Sequence, residues 1–151
     1  QHFDYIDHFS NVAPAMGKSY TIGTDATNNL KVDVFYNEPF IFDAAEIDGI
    51  RLATLGEIVA MKVDVIQRGG RKKDFWDLYE LYNKYSIKEM IALHEKRYPY
   101  DHDQELIIQK FTDFSIADEG FDPVCLRGNY WDFIKADFEE AIENYKNTSQ
   151  D

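Results

Sequence analysis

Six consecutive residues, Arg68-Gly69-Gly70-Arg71-Lys72-Lys73, carry four positive charges in a chain of 151 residues whose formal net charge is −12. The glycines let backbone approach a ligand closely, and a helix start just beyond favours anions, so phosphate is the natural ligand chemistry. The same run also reads as an ordinary solvated basic loop. Lys62 lies upstream, one turn after Ile58 and one before Ile66. Its ammonium either snorkels past its own stem or serves as a point charge for phosphate. Asp74 and Asp77 follow within one turn of each other. There they favour the helix dipole, and they can also orient Lys62, Lys73 or an arginine. Asp33 stands apart in an extended stretch and shares a face with Lys31 and Phe35. It is either a solvent-facing carboxylate on an edge strand or a ligand for Mg²⁺, which prefers carboxylate and phosphate oxygens.

Other chemistries find little support. The basic run does not have P-loop spacing, and no Ser-His-Asp order or nucleophile elbow is visible. His2, His8, His94 and His102 are scattered, with no pair at metal-ligand spacing on one helix face, and a single cysteine, Cys125, argues against a zinc site. Asp101-His102-Asp103 is formally a D-x-D, but helix capping explains Asp101. Asp64 reads as ordinary helix surface.

The elements that must position these residues change period midway. Phe3, Ile6 and Phe9 suggest a short helix over residues 2–9, and Pro14 and Gly17 punctuate a loop. Ser19 to Gly23 and Leu30 to Tyr36 read as antiparallel strands around a turn at Asp25 to Asn29. A shorter strand around Ile47 to Leu52 carries an Asp48-Gly49 turn. Thr54-Leu-Gly-Glu57 then reads as a capping box for a helix whose apolar face is Ile58, Met61, Val65 and Ile66. A second helix from Lys73 places Phe75, Leu78, Tyr79 and Tyr82 inward. Ser86-Ile-Lys-Glu89 caps a third, which Pro99 ends. Asp101-x-x-Gln104 opens a fourth, and a last helix runs from Tyr130 to Tyr145. The expected fold is α+β: a small β-rich part over residues 1–53, then about five helices over residues 54–151.

Hydrophobic content of 44% with 15% aromatics fits a folded domain of this length. A pI near 4.6 disfavours long-range attraction to nucleic acid or to an anionic membrane. No apolar run reaches the ~20 residues that span a bilayer. The first residues do not form a signal peptide, and the lone cysteine fits a reducing cytoplasm.

The strand KVDVFY, the run DGIRLATLGEIVAMKVDVIQRGGRKKDFWDLYELYNKYSIKEM, then RYP and WDFIKADF resemble the AbiEii/AbiGii toxin family of nucleotidyltransferases. The likeness spans roughly residues 20–145 and is most specific from Lys62 to Leu81. It implies a polymerase-β-like core with a helical C-terminal half, which transfers a nucleotidyl group from an NTP to an acceptor such as tRNA. In that family Mg²⁺ is held by three carboxylates in a two-metal site. By the resemblance Asp33 is the third, metal-binding carboxylate, and Lys62 and Asp74 are catalytic. Lys62, Arg68, Arg71, Lys72 and Lys73 bind phosphate, and Asp77 supports them. Lys73 stands where many members carry arginine. An antitoxin partner is implied as well.

The other two carboxylates come from a Gly-Gly or Gly-Ser turn followed by D-x-D, and this sequence has no such motif. Asp4-x-x-Asp7 has the wrong spacing, and Gly23-Thr24-Asp25 lacks the pair. The expectation is therefore the C-terminal two-thirds of the family fold, inactive alone and self-associating through exposed apolar faces. The alternative is a non-catalytic helical module that binds a nucleotide or a partner.

Overall fold

The computed structural model of the chain describes residues 5–8, 17–25 and 27–148. They fall into two compact units, Gln1–Pro39 and Phe40–Asp151. The fold is α+β.

The first unit holds a three-stranded antiparallel sheet of β1 (Tyr5–His8), β2 (Gly17–Gly23) and β3 (Asn29–Phe35), in that order. The helix expected over residues 2–9 is not there: Tyr5–His8 is a strand, with Tyr5 opposite Gly23 and His8 opposite Tyr20. A helix so short is marginal in water, whereas the edge of β2 supplies ready ladder hydrogen bonds. Residues 2–4, Phe9 and Pro14 lie outside the described residues, and Gly17 opens β2 rather than a loop. The β2–β3 turn forms where expected. Asp25 Oδ1 accepts from Thr27 N at 2.8 Å and from Asn28 N at 2.9 Å. The Thr27 hydroxyl, the Asn28 amide and these two N–H groups hold the Asp25 carboxyl well below its usual range.

The second unit begins with a hairpin of β4 (Ala45–Ile47) and β5 (Ile50–Leu52). Two strands therefore stand where one was expected. The turn between them needs positive φ at both central residues, and Asp48 (52°) and Gly49 (76°) supply it. Six helices follow: α1 (Leu55–Gln67), α2 (Lys72–Tyr82), α3 (Ile87–Arg97), α4 (Gln104–Lys110), the single turn α5 (Ser115–Asp118) and α6 (Trp131–Thr148). Among the described residues no helix is long and apolar enough to cross a membrane.

Their caps follow local chemistry, with two departures. Ser86 and Glu89 form the reciprocal box, Glu89 Oε2 accepting from Ser86 N at 2.8 Å and Ser86 Oγ from Glu89 N at 3.3 Å. The cap of α4 is Asp103, whose Oδ1 accepts from Leu106 N at 3.0 Å, and not Asp101. At α1 Thr54 Oγ1 accepts from Glu57 N at 3.4 Å, but Glu57 does not return the bond. Its carboxylate turns inward, pairs with Arg97 and accepts from Phe42 N at 3.2 Å. That rotation sets the inner face of α1, which is Val59, Ala60, Val63 and Ile66 rather than Ile58, Met61, Val65 and Ile66.

The core closes around aromatic rings from α2, α6 and the segments leading to them. Phe138 packs against Phe75, Tyr79, Tyr82 and Phe111, and Trp131 stacks on Trp76 at 5.9 Å. Such offset and edge contacts add to the stabilisation from burial alone.

Glu57 and Arg97 are both buried, so removing one partner leaves the other charge without compensation. Glu57→Ala is expected to lower unfolding free energy by about 3–5 kcal/mol in urea titration. Replacing both by apolar residues of similar volume should recover much of the loss.

Candidate functional site

The junction of α1 and α2 is built by charge. Gly69 takes φ 97° as its N–H closes on Ile66 O at 2.9 Å, and Gly70 lies against Ile66, where a Cβ would collide. The glycines are thus required by the turn and its packing, whatever else approaches them. Arg71 then caps α2, and Asp74 Oδ2 accepts from Arg71 N at 3.1 Å.

The other oxygen of Asp74 faces α1. Lys62 Nζ donates to Asp74 Oδ1 at 2.8 Å and reaches Asp77 Oδ2 at 2.6 Å. Asp74 is buried, Asp77 is about half exposed, and Lys62 retains a quarter of its side-chain exposure. Lys62 therefore runs up the α1–α2 groove with its ammonium at the rim. Burial presses both groups toward neutrality, but the bonds and charges outweigh it. Asp74 and Asp77 hold the Lys62 ammonium above its usual value, and Lys62 and Arg71 hold the Asp74 carboxyl below its own.

The basic run does not form one patch. Arg68 turns back to Asp64 at 3.0 Å and Arg71 reaches Asp74 at 3.4 Å. Lys72 is buried, pairs with Asp122 at 2.8 Å and lies over the Trp131 ring. Lys73 is exposed and has no ion-pair partner among the described residues.

Asp33 belongs to the sheet unit. Ser19, opposite it on β2, donates to its Oδ1 at 2.6 Å, and Lys31 lies at 3.3 Å from its Oδ2. Among the described residues no group of three or more His, Cys, Asp or Glu side chains is placed to hold a metal ion.

One cluster has no counterpart in the sequence reading. Asp64 is buried, not surface, and lies between Arg68 and His94, with His94 Nε2 at 3.6 Å. His94 is fully buried, and its Nδ1 lies 2.9 Å from His102 Nδ1. Burial and the neighbouring His94 keep the His102 pKa below its usual value. The eight-residue separation carries no helical signal, because the turn at residues 98–103 brings the rings together. Only the apolar neighbours of Asp64 could have hinted at its burial.

The pH dependence of the Lys62–Asp74 pair follows from these directions. Asp74 contributes stability that is present above the ordinary carboxylate pKa and lost as pH falls through its depressed value. Lys62 contributes stability that is present below the ordinary ammonium pKa and lost as pH rises through its raised value. Asp74→Asn keeps an oxygen for the Arg71 N–H yet removes the charge. Urea unfolding across pH should show a loss of about 1–3 kcal/mol near neutrality and a flatter acid limb than wild type. Parallel acid limbs would mean that the pair adds nothing.

A solved structure shares this architecture. A crystal structure of a candidate nucleotidyltransferase from H. pylori superposes with a TM-score of 0.55 at 15% identity, covering 93% of this chain and 64% of that one. At that identity the likeness is one of fold, and the present chain spans 64% of the length of that protein. The crystal structure of JHP933 from Helicobacter pylori matches with a TM-score of 0.46 at 13% identity, covering 98% of this chain and 67% of that one. No curated protein matches. The model of the nucleotidyl transferase AbiEii toxin family, of type IV toxin–antitoxin systems, matches residues 6–147, and the chain belongs to that family.

Proposed function

We propose that the α1–α2 groove is the phosphate-binding wall of a nucleotidyltransferase toxin, one that transfers a nucleotidyl group from an NTP to tRNA or another acceptor. The observation that supports this most is Lys62, held fully charged at the rim by Asp74 and Asp77, one of them buried. A preoriented ammonium loses little freedom when a triphosphate oxygen joins it. Lys73, one turn into the same junction, offers a second cation without having to leave a partner. Lys62, Arg68, Arg71 and Lys72 are all paired with carboxylates, but the last three turn to three separate ones, Asp64, Asp74 and Asp122, instead of being held together at the rim. Their contribution is accordingly smaller.

Mg²⁺ is the metal that the family implies. The donor set described does not suit a two-metal centre: Asp33 is one carboxylate, already engaged by Ser19 and Lys31. One carboxylate cannot clamp two ions against both the attacking and the leaving oxygen. With the carboxylates described, the chain alone binds nucleotide without transferring it, and Asp33 by itself carries no catalytic step. The same observation favours a second reading, a binding module that has given up catalysis. An antitoxin partner and a cytoplasmic site of action accompany either reading.

Titration calorimetry with an NTP should give saturable heat. Lys73→Ala should weaken binding about tenfold, as expected for one charge-assisted hydrogen bond of about 1.5 kcal/mol, and leave the unfolding curve unchanged. Unaltered affinity in Lys73→Ala, or no heat at all, would remove the groove from consideration. Incorporation of labelled NTP into any acceptor, abolished by Asp33→Ala, would refute the claim that this chain is inactive alone.

A further inference from the structure

Cys125 lies in the irregular segment between α5 and α6, partly buried against the core. The residues after it wind back beneath the sulfur. Asn129 N donates to Sγ at 3.3 Å, and Gly128 takes the φ of 74° that so tight a return needs. The backbone N–H groups of Arg127 and Gly128 add to the pull that favours the Cys125 thiolate. Converging backbone N–H groups of this kind make a concavity for an anion.

The opposite wall is Trp76. It is 6% exposed, and its Nε1–H makes no hydrogen bond. Trp76 lines the same cavity as Cys125, and of the groups around the sulfur its indole N–H does most to favour the thiolate. With the three backbone N–H groups it holds the Cys125 thiol below its usual value, against partial burial, which acts the other way. A buried donor without an acceptor thus points at a sulfur already surrounded by donors.

The sulfur opens on a cavity of about 240 Å³ whose lining includes Lys73, Trp76, Asp77, Glu80, Cys125 and Arg127. The charged groups facing it are Lys73, Asp77 and Glu80 from α2 and Arg127 from the loop, and Glu80 already holds Arg127 at 2.8 Å. Among the described residues Lys73 has no ion-pair partner and can take a carboxylate, while Asp77 and Glu80, which also hold Lys62 and Arg127, suit an ammonium. That is the complement of a small zwitterionic peptide.

We propose that Cys125 is a thiolate site for low-molecular-weight disulfides of the glutathione type, the bound half seating in this cavity. The thiolate attacks one sulfur of the small disulfide, forming a protein–ligand S–S bond and breaking the original one. The departing thiolate leaves with the electron pair of that bond and takes a proton from water, so the disulfide itself is the oxidant. The adduct covers Asp77, which holds Lys62, and Lys73. Oxidation is thereby coupled to the α1–α2 groove through the outer face of α2.

The test is incubation of the whole chain with glutathione disulfide, followed by intact mass. One glutathionyl group per chain is expected, absent in Cys125→Ser and released by dithiothreitol. Initial rates from neutral to alkaline pH should give a midpoint below that of the same chain unfolded in urea. A native midpoint at or above the unfolded one would overturn the proposal. So would a native chain that takes no adduct while the unfolded chain does. Neither measurement depends on nucleotide binding, so failure here is distinguishable from failure of the nucleotidyltransferase reading.

Discussion

Three carboxylates are buried around α1, and the helical unit is arranged so that none lacks a partner. A carboxylate removed from water without compensation is too costly for a domain of this size to tolerate. Glu57 at the start of α1 is met by Arg97 from the end of α3, Asp64 near its end by Arg68 and His94, and Asp74 on α2 by Lys62 and Arg71. Glu57–Arg97, Asp64–His94 and Asp74–Lys62 join α1 to its neighbours, and Arg68 and Arg71 tie in the loop that leaves it. Apolar contacts through Val59, Val63 and Ile66 supply most of the burial energy, but they tolerate small rotations. The charges do not, and they fix the angular setting of α1.

That constraint explains what the sequence did and did not reveal. Elements defined by local chemistry were legible: the β2–β3 turn at Asp25, the Asp48-Gly49 turn, the Ser86 box, and the spacing of Trp131, Ile134, Phe138 and Ile142 on α6. The inner face of α1 was misread, because Val59 and Val63 are as apolar as Met61 and Val65, and spacing alone does not choose between the two stripes. Glu57, polar by type, sits inside because the distant Arg97 neutralises it, and Asp64 because Arg68 one turn on and the distant His94 meet it. The cap of α4 moved from Asp101 to Asp103 for a similar reason: Gln67 holds the backbone on both sides, donating to Asp101 O at 2.8 Å and accepting from Asp103 N at 3.1 Å. A spacing rule cannot see a partner more than thirty residues away.

The basic run shows the same limit. Four cations in six residues look like one surface when written in a line. Folded, they point to four different places, and among the described residues only Lys73 is without an anion of its own. Composition located the junction correctly, but the electrostatic character of that junction comes from where the aspartates lie. Lys62 is more strongly positioned than any member of the run, although its sequence context looked the more ordinary.

His94 and His102 meet through like atoms, Nδ1 against Nδ1. Two neutral imidazoles in that arrangement can share only one hydrogen: one ring must donate and the other accept. The carboxylate of Asp64 beside His94 Nε2 favours the hydrogen on that nitrogen. His94 Nδ1 is then the acceptor, His102 Nδ1 carries the shared hydrogen, and the lone pair of His102 is left on Nε2. A carboxylate on α1 thus favours one tautomer of a ring beyond α3, transmitted by the single hydrogen bond between the two imidazoles.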